Sequence, residues 1–234
     1  MTTNPLPHRD RGALSGALTG IFFVGAIVGA MRIANSPIPR PGAPAPDVRT
    51  YYSESRTAAR FSAAGQYISI LCLLRFIRSI ADLARPGDPR DAVLRTAATA
   101  TGIASAVALT ASASTHAYLT TDHGHDDPGT RALARRVFVI GGPVHGVVYG
   151  LFIATLGVLG QRRGLWPRTG LWIGIGSGLA GILTPAYFRY EQAGWLIPIG
   201  RFSGYALSAV AGIRLARGGF HGAGQADVEA EITR

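Results

Sequence analysis

Residues 12–31 read GALSGALTGIFFVGAIVGAM, a run without one charged residue, closed by Arg11 before it and Arg32 after it. A helix needs roughly 20 apolar residues to cross the hydrocarbon core of a bilayer. A basic N-terminus before an apolar run also describes a secretory signal peptide. This run is longer than the h-region of such a signal, and no small-x-small cleavage site follows it. It therefore reads as a retained membrane helix, and the rest of the chain repeats the pattern.

Hydrophobic residues make up 47% of the 234-residue chain and charged residues only 15%, where a soluble domain has about a quarter charged. The charges cluster and leave six long gaps. The sequence predicts spans at about 12–32, 61–81, 96–119, 137–160, 169–188 and 194–214, with polar tails at 1–11 and 218–234. The fold class is all-α, an integral membrane bundle of six transmembrane helices within one domain, 12–217. A five-span alternative lays the last segment along the surface, but Gly194 to Ile213 has the length to cross. No alternating strand pattern suggests a β-barrel. The third span, rich in Ala, Thr and Ser, is expected to be the most enclosed by protein. APAPDVRTYYSES, residues 43–55, is expected to be an extended connector.

The formal charge is +10, and every basic residue is Arg. The arginines sit at span ends instead of forming a basic face, which fits snorkelling and the positive-inside bias rather than nucleic-acid binding. The partner is the lipid bilayer. With six spans both termini share a side. Segments around Arg9 and Arg11, Arg85 to Arg95, Arg162 to Arg168 and Arg214 to Arg217 lean cytoplasmic, in the cytoplasmic membrane. The single Cys72 excludes an internal disulfide.

Glycines recur at four-residue spacing: Gly142, Gly146 and Gly150; Gly170, Gly174 and Gly178; Gly200, Gly204 and Gly212 with Ser208. Such faces let helix backbones approach closely. They can serve packing within the bundle or a homo-oligomer, and the bundle itself needs them. GSGLAG, Gly176 to Gly181, matches a phosphate-binding pattern, but no strand precedes it, so it reads as packing. Pro143, Pro185 and Pro198 lie near span ends and free carbonyls there.

Four polar residues interrupt the apolar runs: Gln66, His116, His145 and Arg201. At helical rise His145 is roughly 13 Å past Arg136, and Arg201 is near 10 Å into its span, about the same depth. Ionisable groups in a membrane usually face the bundle interior and have partners. Gln66, His145 and Arg201 are therefore the candidate ligand site, a polar pocket for a small or lipid-like molecule. The alternative keeps them structural, with Arg201 paired to Glu191 and His145 bonded to a carbonyl freed by Pro143. A metal or haem reading uses His116 and His145 as axial ligands, with Asp122, His123 and His125 in TDHGHDD as a lesser metal candidate. Gly124, Pro128 and Gly129 make that stretch a turn, and no HExxH completes it. No cofactor is expected from the pattern, haem or a divalent metal being the alternatives. No Ser-His-Asp order or intramembrane carboxylate pair points to an enzyme.

AARFSAAGQYISILCLLRFIRSIADLARPGD and RRGLWPRTGLWIGIGSGLAGIL resemble uncharacterised six-helix membrane proteins common in actinobacteria. The resemblance covers Arg11 to Arg217. It implies a six-helix bundle in the cytoplasmic membrane and no activity.

Overall fold

The computed structural model describes residues 9–121 and 129–218, and every regular element among them is helical. The helices are α1 Ser15–Ile33, α2 Ala45–Glu54, α3 Arg56–Ala81, α4 Pro89–Tyr118, α5 Gly129–Val139, α6 His145–Arg162, α7 Arg168–Ile182 and α8 Leu196–Arg217. A π-helical turn, Ile140–Val144, joins α5 to α6, and 3-10 turns cover Thr184–Phe188 and Glu191–Trp195. Six helical segments are long and apolar enough to cross a membrane. The chain is a multi-pass helical membrane protein.

The spans form a closed ring. Each packs on its neighbour in sequence, α8 returns to α1, and α6 also touches α8. Both described ends lie at one face, where the Asp10 amide donates to the Leu215 carbonyl at 3.3 Å. Ile21, Leu71 and Val107 are exposed on the outside of the ring, as lipid requires. Trp172 near one end and Tyr190 and Trp195 near the other are exposed too, the placement of interfacial aromatics.

Apolar burial drives little association in lipid, so close backbone contact and interhelical hydrogen bonds hold the ring. The glycine faces are occupied within the chain. A Cβ at Gly150 would stand 2.6 Å from the Gly178 carbonyl, and one at Gly200 would stand 2.8 Å from the Gly181 amide. Ser69 donates to the Thr19 carbonyl at 2.8 Å, and Ser177 to that of Gly200 at 2.9 Å. Each such bond contributes about 0.6 kcal/mol.

Four expectations are corrected. The most enclosed span is α3, whose most apolar window is 56% buried, against 33% for α4. Four threonines of α4 bond within the helix: Thr96, Thr101, Thr110 and Thr115 donate to carbonyls one turn back. A hydroxyl bonded in this way needs no protein neighbour and tolerates lipid. Second, the connector after the first span contains α2. Pro44 and Pro46 suit the start of a helix, and Val48, Tyr51 and Tyr52, at i, i+3 and i+4, are all buried. They form a second cluster with Ala59 and Leu119, against which Leu133, Ala134 and Val137 of α5 pack. The fourth span also begins earlier than expected, at Gly129, and α4 begins at Pro89 because Asp88 caps it through the Arg90 and Asp91 amides.

Candidate ligand-binding site

At the end of the bundle remote from the described termini lies a cavity of about 1440 Å³. All six spans contribute to its wall: Ile27, Ser62, His116, residues 131–132 and 134–140, Tyr187 with Phe188, and Glu191. Residues 38–43 and α2 cover part of it. The cavity therefore lies between the spans at this end of the ring. Its charged lining consists of Arg40, Arg131, Arg135, Arg136 and Glu191, and the rest is largely aliphatic or aromatic. Among the described residues the side chains of those four arginines have no hydrogen bond or ion pair.

The α5 arginines occupy i, i+4 and i+5 of an amphipathic helix and are exposed, while Thr130 is buried. At the side of the cavity the Tyr52 hydroxyl and His116 Nδ1 are 2.7 Å apart, with their rings edge to face. Burial and the neighbouring Tyr51 push the Tyr52 hydroxyl well above its ordinary pKa, so it remains a phenol. This bond ties α2 to α4.

The next turn inward is a polar layer built around the break in the fourth span. Pro143 lacks the N–H that would close on the Val139 carbonyl, and the ladder widens to π geometry from Ile140 to Val144. Carbonyls on either side take side-chain donors from other helices. Ser112 donates to Val137 at 2.9 Å, Thr184 to Pro143 at 3.0 Å, and the Arg201 guanidinium to Gly141. Arg201 also donates to His145 Nδ1 at 3.1 Å. An arginine only donates, so this nitrogen accepts and His145 carries its proton on Nε2.

Tyr149 stacks on His145 with ring centroids 5.3 Å apart. Tyr205 bridges Tyr149 and Phe23, and the Arg201 guanidinium lies 4.9 Å over the Phe23 ring. His145 is 1% exposed. The structure thus joins His145 and Arg201 directly. Gln66 bonds Ser62 at 3.4 Å, and His116 bonds Tyr52 instead. Arg201 makes no ion pair with Glu191, and Arg201, not His145, takes a carbonyl beside Pro143. Asp122, His123 and His125 lie outside the described residues. Among the described residues no three His, Cys, Asp or Glu side chains converge as metal ligands would.

Protein-family models, curated proteins and solved structures give no match to this chain. Function has to be argued from the site's own chemistry. Sequence reasoning missed the arginines of α5 and the tyrosines that complete the polar layer. For the tyrosines spacing was the available cue: His145 and Tyr149, like Arg201 and Tyr205, are four apart and share a helix face.

Proposed function

We propose that this chain is a noncatalytic membrane protein that holds a lipid-like anion in the axial cavity. The observation that carries the reading is a cavity walled by all six spans, with arginines outnumbering carboxylates among its described lining. Small-molecule pockets are commonly about 300–1,000 Å³, so about 1440 Å³ accommodates a chain-bearing molecule. Ile27, Val48, Tyr51, Phe138 and Ile140 supply apolar contact. The arginines supply charge-assisted hydrogen bonds to an acidic group. The positive-inside bias supports termini in the cytoplasm and a cavity opening on the other side of the cytoplasmic membrane.

The test is lipid analysis of protein purified in mild detergent, beside an Arg131→Gln/Arg135→Gln/Arg136→Gln variant. An acidic amphiphile enriched over the surrounding lipid with the wild type, and reduced in the variant, supports the reading. Absence of enrichment, together with no thermal protection by added acidic amphiphiles, overturns it.

A further inference from the structure

The amphiphile reading leaves one half-buried charge within the bundle unexplained, and the inference that follows rests on that reading. Arg201 is a cation inside a membrane-spanning helix, yet its contacts are neutral: the Gly141 carbonyl, His145 Nδ1 and the Phe23 ring. No carboxylate pairs with it among the described residues. Its Nε is buried and donates to nothing. One turn along α8, Tyr205 is 6% exposed, and its hydroxyl is also buried without a partner. Both side chains lie against the Phe23 ring, the Arg201 guanidinium 4.9 Å from its centroid and the Tyr205 ring 5.5 Å from it. Buried donors in folded proteins are nearly always bonded, and a lone charge in a membrane calls for a counter-charge.

These groups adjoin the floor of the cavity. Gly141 directly follows Ile140, which lines it, and Phe23 lies one helical turn, about 6 Å, from Ile27, which also lines it. Gln66 bonds Ser62, a third lining residue. The polar layer and the cavity are thus adjacent on the first, second and fourth spans.

We infer that Arg201 and Tyr205 form a site for a compact oxyanion (carboxylate, phosphate or sulfate), reached through the cavity. Arg201 Nε and the Tyr205 hydroxyl donate to it. The Gly141 carbonyl, His145 and Phe23 hold the guanidinium in place, and His145 is a positioning residue. The acid end of the amphiphile is the occupant, entering first with its chain behind it. The α5 arginines guide its approach from outside.

The experiment compares dodecanoate, dodecanol and inorganic phosphate on the full chain in lipid nanodiscs, by binding and thermal protection. Dodecanoate is expected to bind the wild type at least about tenfold more tightly than dodecanol, the size of a charge-assisted hydrogen bond. Tyr205→Phe removes a hydroxyl with no protein partner, so the fold persists, and the ratio should fall severalfold. Arg201→Gln should bring it near unity. Because Arg201→Gln also removes the bond to the Gly141 carbonyl, the Tyr205→Phe ratio decides if that variant does not fold. An unchanged ratio in Tyr205→Phe overturns the inference while leaving the amphiphile reading intact. If neither amphiphile binds the wild type, the amphiphile reading fails. In that case phosphate protection lost in Tyr205→Phe sustains the oxyanion site with a free anion as its source, and absence of phosphate protection ends both.

Discussion

At the end that carries the described termini, Arg75 and Arg162 are held by carboxylates. Asp10 accepts from Arg75 at 2.7 Å, Ser79 at 2.6 Å and the Gly12 amide at 2.9 Å, joining the first turn to α3. Asp91, 1% exposed, accepts from Arg162 at 2.8 Å and from the Arg85 amide at 3.0 Å, and Asp88 takes a second Arg162 nitrogen at 3.0 Å. At the opposite end Arg40, Arg131, Arg135 and Arg136 line a cavity whose described carboxylate is Glu191. Two arginines tie helices together at one end, and four line a cavity at the other. The difference comes from connections. The link between α3 and α4 is short and delivers Asp88 and Asp91 beside Arg162, and the link between α6 and α7 folds onto the bundle through Trp166, which donates to the Gly157 carbonyl at 3.0 Å. The connection between α1 and α3 is long, carries a helix of its own and spans the ring without filling it.

The largest effect should follow from opening the closed end. Asp91→Ala strips the buried acceptor from Arg162 and from the Arg85 amide, and should cost about 2–3 kcal/mol, the range for hydrogen bonds to charged groups. Thermal unfolding in detergent would show it, and a loss no greater than that of a surface substitution would break the contrast between the ends.

At the open end, Tyr52→Phe removes the bond to His116 and should cost about 1 kcal/mol. The loss should be local, read as faster amide exchange in α2 with α4 little changed. Uniformly faster exchange across the bundle would make α2 part of the global core instead of a cover.

Smallest in stability is the Arg131→Gln/Arg135→Gln/Arg136→Gln variant, within about 0.5 kcal/mol of wild type, because exposed charges without partners contribute little to the fold. Its anion binding should weaken and lose salt dependence. A large drop in melting temperature would mean that these arginines are structural after all.

Much of the architecture was legible because it depends on local length. Arg11 and Arg32 bracket the first span, no strand pattern competes with the helical reading, and Glu191–Arg217 is long and apolar enough to be a sixth span. The glycines at four-residue spacing announced close helix contacts, but not that Gly150 would face Gly178 or that Gly200 would face Gly181. The α2 helix was missed because its prolines resembled a linker, although Val48, Tyr51 and Tyr52 carried the helical spacing. For the candidate site, His145 and Arg201 stood out as polar residues at like depth, and the structure puts them in contact. Tyr205 and the α5 arginines gave no such contrast, since a tyrosine in a span and arginines at its end are ordinary.

By itself the sequence determined that six segments are long and apolar enough to cross a membrane, and which faces are smooth enough to pack. These follow from apolar length and period, properties of residues near one another in the chain. Only the tertiary structure decided that the six spans leave their centre open at one end, and that Arg201 meets a carbonyl, an imidazole and a ring but no acid. A cavity is a contact not made, and a missing counter-charge is a partner not supplied. Both depend on how remote segments are brought together, which no local pattern encodes.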